Sequence, residues 1–130
     1  MKTILVDAVD TFVIEGVGVY QPMFELLEKY PNRKIVLTNA NDEQMEPFSL
    51  TNLPYELFTM KHNPDKVDPI YFQTFLKQYN LKSEEVIYFE HNPKAVESAQ
   101  SVGITSYYYD AEKKDLNALK VFLDENLNKE

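Results

Sequence analysis

The sequence contains no cysteine and no tryptophan, and only three of its 130 residues are glycine. Without cysteine, disulfides, thiolate catalysis and cysteine-based zinc sites are excluded, and the absence fits the cytoplasmic location that we predict. Gly16 and Gly18 form neither the Walker nor the Rossmann phosphate-binding pattern. No apolar run approaches membrane-spanning length, and the opening MKTILVDAVD is typical of a first strand rather than a signal peptide. We therefore expect no membrane partner.

Positive charge is also scarce. Thirteen Lys and Arg residues oppose 21 Asp and Glu residues, which gives a net charge of −8. Such a surface repels a nucleic-acid backbone, so we expect no nucleic-acid partner, and a small anionic substrate would need local help from a cation. The length and the ordinary proportions of apolar (44%) and charged (26%) residues predict one globular domain over residues 1–130.

Apolar, β-rich runs alternate with helical patterns along the chain. Three prolines, Pro22, Pro69 and Pro93, stand where a first helical turn accepts them. Strands that alternate with helices form parallel sheets with right-handed crossovers, so the sequence predicts an α/β fold. The predicted strands span residues 2–6, 34–38, 55–60, 85–90 and 105–109. The predicted helices span residues 21–30, 41–48, 68–81, 93–104 and 115–127. Residues 12–20 are predicted to form a hairpin.

Polar side chains follow the predicted strands. In order along the chain they are Asp7, Thr38 and Asn39, Lys66, and the run Glu90, His91 and Asn92. Ligands bind at the carboxyl ends of parallel strands, so we expect these side chains to converge. A carboxylate that attacks phosphorus, a hydroxyl and an ammonium that hold phosphate oxygens, and acids that carry a metal are the parts of a phosphoryl-transfer site.

Four motifs, in order, resemble those of the haloacid dehalogenase-like (HAD-like) hydrolases between Ile4 and about Gly103. They are DAVDT at 7–11, IVLTN at 35–39, KVDPIYF at 66–72 and FEHNPKAVESAQSVGI at 89–104. The resemblance implies a three-layer, Rossmann-like HAD fold with a mainly parallel five-stranded sheet and helices on both faces. It also implies a phosphatase-type hydrolase that forms an aspartyl-phosphate intermediate.

The resemblance assigns a role to each matching residue. Asp7 is the nucleophile, Thr38 and Lys66 hold the phosphate, and Glu90 carries a divalent cation, which is magnesium in the relatives. His91 stands where those relatives have a further Asp ligand. Because imidazole is a poor ligand for Mg²⁺, a metal held by Asp7, Glu90 and His91 is expected to be a softer divalent cation.

The first motif departs from the family at the general acid and base. That position is Val9 here, and losing such a group typically costs about 10²–10⁴ in rate. The sequence therefore predicts a slow enzyme, unless Asp10 or His91 replaces the missing acid. DAV and EHN also resemble the metal-free dehalogenases of the family, but those enzymes have an acid where Ala95 stands and bury their substrate under a helical cap.

The spacing of the motifs leaves no room for a cap domain. Relatives without a cap act on large substrates or complete their site by oligomerisation, so we expect a phosphorylated small molecule or a macromolecular phosphoester as partner, and homo-oligomer formation as one way to complete the site. The alternative to a slow hydrolase is a catalytically inactive HAD-fold protein that binds a ligand or a partner. A phosphoacceptor receiver domain fits less well, because it needs an acidic pair after the first strand. His62 is predicted to lie in a surface loop.

Overall fold

Seven strands are present in the structure, a computed structural model that describes residues 1–127. They are β1 (Thr3–Asp7), β2 (Val13–Ile14), β3 (Gly18–Val19), β4 (Lys34–Thr38), β5 (Glu56–Thr59), β6 (Val86–Glu90) and β7 (Thr105–Tyr108). Five of them form a parallel sheet in the order β5–β4–β1–β6–β7, and β2 and β3 pair as an antiparallel hairpin. Strand β1 is therefore the centre of the sheet, flanked by two parallel strands on each side.

Four α-helices cover the two faces of the sheet. They are α1 (Gln21–Leu27), α2 (Pro69–Gln78), α3 (Pro93–Ser101) and α4 (Leu116–Leu127). Helices α1 and α4 bury Met23, Leu27, Leu119 and Leu123 against one face, and α2 and α3 bury aromatic and small side chains, including Phe72, against the other. The predicted three-layer α/β fold is thus confirmed.

The helix boundaries follow from local chemistry. The Asp68 side chain accepts the N–H of Ile70 ahead of α2, and the Asn92 side chain accepts the N–H of Lys94 ahead of α3, so both helices begin with a polar cap followed by proline. Helix α3 is followed by Gly103 at φ +89, a conformation that favours glycine.

The predicted helices extend beyond those in the structure: α2 ends at Gln78 rather than at 81, and α3 ends at Ser101 rather than at 104. Helix α1 ends at Leu27 and residues 28–30 form a turn, so Pro31 does not set its end. The predicted helix over 41–48 contains only a 3-10 helix, Asp42–Gln44, followed by turns. In that 3-10 helix the Asn41 and Gln44 side chains each cap the other's backbone N–H.

The register brings the carboxyl ends of the central strands to one edge. Asp7 of β1 pairs with Leu37 of β4, and Val6 pairs with Phe89 of β6. Because side chains alternate along a strand, Leu5 and Tyr88 lie on the face that α2 and α3 cover. Polar residues at the strand ends therefore stand at the rim of a closely packed apolar layer.

The connections between the central strands are short. Between β1 and β4 the chain forms only the β2–β3 hairpin and α1, and between β4 and β5 only the Asp42–Gln44 helix and turns. Neither connection contains a separate folded unit. Within residues 1–127, no helix has the length and apolar character needed to span a membrane.

Candidate active site

Asp7 lies at the end of the central strand and is only 2% exposed. Its Oδ1 accepts a hydrogen bond from Lys66 Nζ at 2.7 Å. Its Oδ2 accepts from the Thr11 hydroxyl at 2.7 Å, from the His91 backbone N–H at 3.3 Å and from His91 Nδ1 in a shorter contact. The carboxylate is thus held on both oxygens while it lines a pocket of about 280 Å³.

Lys66 lies between β5 and α2 and extends into the protein toward Asp7. Its ammonium is within hydrogen-bond distance of Asp7 Oδ1 at 2.7 Å, Glu90 Oε1 at 2.8 Å and the Leu37 carbonyl at 3.1 Å. The Tyr88 hydroxyl is a fourth, longer contact at 3.4 Å, so protein oxygens use all three protons that an ammonium can donate. The Lys66 backbone N–H donates to the Asn39 side chain at 2.8 Å, which fixes the loop that carries it.

The two buried charges of this pair determine each other's protonation. Burial alone would raise the pKa of the Asp7 carboxyl, but the Lys66 ammonium and the His91 ring outweigh it and hold that pKa below its usual range. Burial alone would lower the pKa of Lys66, but Asp7 and Glu90 outweigh it and raise that pKa above its ordinary value. Both side chains are therefore charged at neutral pH.

Glu90 and His91 end strand β6 and complete the cluster. Glu90 is 1% exposed, and its Oε2 accepts the Asn92 N–H at 3.1 Å. His91 Nδ1 lies 3.3 Å from that same oxygen and closer still to Asp7 Oδ2. Hydrogen bonds to Asp7 and then to Glu90 raise the pKa of His91 to about 10. The ammonium of Lys66 and the ring of His91 thus both contact the carboxylates of Asp7 and Glu90.

The raised pKa of His91 predicts how stability depends on pH. A group whose pKa is about 10 in the folded state and 6.5 ordinarily gives its full stabilisation below pH 6.5 and loses it as the pH rises toward 10. Discounting for the partial exposure of the ring, we expect the wild type to lose on the order of 1–3 kcal/mol across that window. Urea unfolding of the wild type and His91→Gln along a pH series measures this loss, and parallel curves for the two proteins would contradict it.

Thr38 stands beside the pocket at the end of β4. Its hydroxyl oxygen accepts the Ala40 N–H at 3.2 Å, so its own proton can be donated to a ligand. The Tyr71 hydroxyl donates to the Thr38 carbonyl at 2.8 Å and fixes the end of the strand. Thr38, Asn39, Lys66 and Asp7 all line the pocket, as the strand-end argument predicted.

Asp10 does not line the pocket that contains Asp7. Its side chain is 60% exposed, its backbone adopts φ +70, and its carboxylate lies 3.9 Å from His91 Nε2. It lies instead on a second, polar cavity of about 490 Å³ on the other side of His91. The structure therefore gathers Asp7, Thr38, Lys66, Glu90 and His91, and separates Asp10 from them by the imidazole ring.

Several residues at this site were not predicted from the sequence. Thr11, which binds Asp7, belongs to the quoted DAVDT motif. Tyr88 contacts Glu90 and lies two residues before it on the same strand face, so the period of a strand could have identified it. His62 lies in a loop as predicted but also lines the Asp7 pocket, where its ring bonds Gln44 at 2.6 Å and Asp65 at 2.9 Å. No sequence signal marks the His62 contact.

Three donor groups lie close enough to share a metal ion. One ligand atom each from Asp7, Glu90 and His91 lies within 4.8 Å of the other two. Two carboxylates and an imidazole suit Mn²⁺, Co²⁺ or Zn²⁺ and suit Mg²⁺ poorly. The residues thus fit a divalent cation, provided that His91 gives up the proton on Nδ1.

Comparison with known proteins agrees with this architecture. The sequence matches no family profile and no curated protein. Among solved structures, a HAD-family enzyme from Bacteroides thetaiotaomicron superposes with a TM-score of 0.73 at 12% identity, covering 92% of this chain and 98% of that one. The same enzyme has also been solved with magnesium and inorganic phosphate, where the TM-score is 0.71 at 13% identity, with the same coverage of both chains.

Two further structures are similar. The core domain of a protein assigned as a phosphoglycolate phosphatase from Streptococcus pneumoniae gives a TM-score of 0.61 at 16% identity, over 94% of this chain and 96% of that one. A haloacid dehalogenase-like protein from Agrobacterium tumefaciens gives 0.60 at 15% identity, over 82% of this chain and 62% of that one. The chain therefore has the HAD-like hydrolase fold, as its four motifs predicted.

Proposed function

We propose that this protein is a slow phosphate-ester hydrolase of the HAD type, with Asp7 as its nucleophile. A carboxylate oxygen of Asp7 forms a bond to phosphorus, and the bond from phosphorus to the ester oxygen breaks. Water then attacks the phosphorus of the aspartyl phosphate, which releases phosphate and restores Asp7. The observation that carries the proposal is the buried Asp7 carboxylate, bonded to Lys66 at 2.7 Å, in the wall of an open pocket.

Each neighbour of Asp7 has a distinct role in this proposal. Lys66 donates its three protons to protein oxygens. It therefore orients Asp7 and supplies positive charge near the phosphate, without a direct hydrogen bond to the phosphate. Thr38 donates its hydroxyl proton to a phosphate oxygen. Thr11 holds Asp7 Oδ2 at 2.7 Å, which leaves Oδ1, with its single donor, as the more basic oxygen for attack.

Within residues 1–127, the site provides no effective proton donor for the leaving group. Val9 cannot protonate the leaving group, and Asp10 is exposed behind the imidazole of His91. His91 lines the pocket and can carry a proton, but a pKa of about 10 disfavours release of that proton at neutral pH. These two facts together support a slow reaction.

A divalent cation is part of the proposal. Asp7, Glu90 and His91 would hold it. Such an ion would neutralise charge on the phosphate. The donor set favours a cation that accepts imidazole over Mg²⁺.

The substrate that fits best is a small phosphorylated molecule. A pocket of about 280 Å³ accommodates a phosphate and a compact organic group, and Gln44, Phe48 and His62 form its outer wall. A macromolecular phosphoester and a homo-oligomer that completes the site remain further predictions, as do the single domain over 1–130 and the cytoplasmic location.

A second function is supported by the same departures. Val9 stands in place of an acid. Asp7 accepts hydrogen bonds from three side chains and one backbone N–H, which hold its carboxylate in place. Such a site would also serve to bind a phosphorylated ligand without turnover. Binding of inorganic phosphate without hydrolysis would favour this alternative.

The proposal is tested by hydrolysis of an aryl phosphate. We expect turnover by the wild type in Mn²⁺ or Co²⁺, weaker turnover in Mg²⁺, and a loss of at least about 10³-fold in Asp7→Asn. A rate in the wild type that equals that of Asp7→Asn in every metal would rule out the hydrolase.

A further inference from the structure

Tyr88 places a phenol beneath the charged cluster of the candidate site. It lies on β6, two residues before Glu90, so both side chains point to the same face of the sheet. The side chain is fully buried, its ring packs against Phe72 at 5.3 Å, and its hydroxyl contacts Glu90 Oε1 and lies 3.4 Å from Lys66 Nζ. The hydroxyl is thus the link between the apolar layer and the ion pairs.

The direction of the Tyr88 hydrogen bond follows from its neighbours. Lys66 is a donor only, and its three protons are directed at Asp7, Glu90 and Leu37. The phenol proton is therefore donated to Glu90 Oε1. That oxygen then has two donors, Lys66 and Tyr88, which fixes the carboxylate on one side.

Fixing Oε1 also fixes the opposite oxygen of Glu90. Oε2 is turned toward the Asn92 N–H at 3.1 Å and His91 Nδ1 at 3.3 Å. The orientation of Glu90 thereby controls both cations that contact Asp7. Without the phenol, Lys66 would be the only donor on Oε1, and the carboxylate could rotate and carry Lys66 and His91 with it.

We propose that Tyr88 is a positioning residue, which acts through Glu90 to align Lys66 and His91 on the Asp7 carboxylate. This inference rests on the proposed function only for its effect on catalysis, because the alignment itself can be observed without turnover. Tyr88 does not line the pocket and has no contact with a substrate in this role.

Tyr109 provides a matched control. It is also a buried tyrosine of the sheet region, 1% exposed, but its hydroxyl has no hydrogen-bond partner among residues 1–127. Tyr88→Phe and Tyr109→Phe each delete one buried oxygen and keep the ring. A general effect of losing a buried hydroxyl would appear in both variants, whereas positioning would appear only in Tyr88→Phe.

The first measurement is proton NMR of the imidazole Nδ1 proton that His91 directs at Asp7. We expect a downfield resonance in the wild type and in Tyr109→Phe, its absence in His91→Gln, and a clear displacement or broadening in Tyr88→Phe. An unchanged resonance in Tyr88→Phe would overturn the inference, whether or not the protein hydrolyses phosphate esters.

The second measurement is the kinetics of aryl phosphate hydrolysis. Tyr88→Phe should lower kcat about tenfold and leave KM within about twofold, because alignment of the nucleophile affects the reacting step. Combined with Glu90→Gln, Tyr88→Phe should add almost nothing, since it acts through Glu90. Full additivity would contradict the inference, and absence of hydrolysis in every protein, with the NMR change intact, would refute only the hydrolase.

A variant that unfolds still gives a result. If Tyr88→Phe does not fold, 3-fluorotyrosine at position 88 keeps the ring and the hydroxyl but makes the phenol a stronger hydrogen-bond donor to Glu90 Oε1. We then expect a displaced His91 Nδ1 resonance for 3-fluorotyrosine at position 88 and none at position 109. An unchanged resonance at position 88 would overturn the inference.

Discussion

Replacing Lys66 with methionine is expected to destabilise the protein by about 3–5 kcal/mol at neutral pH. Lys66 is 5% exposed, and its ammonium contacts Asp7 and Glu90, which are 2% and 1% exposed. Methionine keeps most of the volume but removes the ammonium that bridges the two buried carboxylates, which are then balanced by His91 alone. The free energy of unfolding from urea titration measures the loss.

The matched control for this change is Lys120→Met. Lys120 pairs with Asp124 at 2.6 Å on α4, but both side chains are well exposed, so its loss should cost less than about 0.5 kcal/mol. The Lys66→Met deficit should also shrink on acidification, because the stabilisation from the lowered pKa of Asp7 is present above its ordinary value of 3.8 and is lost below it. Equal and pH-independent deficits in the two variants would contradict the buried ion cluster.

Introducing an acid at Val9 is expected to accelerate the proposed hydrolysis. Val9 lines the pocket two residues after Asp7, at the position to which the resemblance to HAD-like hydrolases assigns a proton donor. Val9→Asp should raise kcat for an aryl phosphate by at least about tenfold, within the 10²–10⁴ range typical of a general acid. The reason is that the acid at position 9 then protonates the leaving group, in place of the His91 imidazolium, whose raised pKa disfavours proton release.

Val9→Asn is the control for this gain, because it has the shape of aspartate without the acid. It should leave kcat near that of the wild type, and adding Asp7→Asn to Val9→Asp should remove the gain. An equal rate for Val9→Asp and Val9→Asn, in a folded protein, would show that proton delivery does not limit turnover here.

The parts of the site that the sequence predicted are those fixed by the ends of strands. Asp7, Thr38 and Glu90 each follow or end an apolar run, and parallel strands must bring such residues to one rim. Lys66 was predicted from its motif, and it does contact Asp7 at 2.7 Å. The direction of its other two protons, toward Glu90 and Leu37, depends on tertiary packing that no local pattern encodes.

The predicted role of His91 illustrates the same limit. The sequence identified it as a candidate ligand of a soft metal, because it stands in place of an acid. In the structure its Nδ1 lies between Asp7 and Glu90, where hydrogen bonds to Asp7 and then to Glu90 raise the pKa of the ring to about 10. Protonation is a property of the assembled cluster, so it could not be derived from spacing alone.

Contacts between distant loops were the least predictable. His62 and Gln44 both line the pocket and contact each other at 2.6 Å, although neither lies in a motif. The end of α1 was also misplaced, since the helix stops at Leu27 although the next proline is Pro31. Both depend on how loops pack, whereas the sheet follows from repeated apolar runs.

The central claim is that Asp7 is phosphorylated during turnover. It is tested most directly by quenching the wild type during hydrolysis, reducing the acyl phosphate with borohydride and sequencing the N-terminal peptide by mass spectrometry. We expect homoserine at position 7, produced by reduction of an aspartyl phosphate, and none in Asp7→Asn or without substrate. Hydrolysis that proceeds with aspartate unmodified at position 7, or that persists in Asp7→Asn, would contradict it.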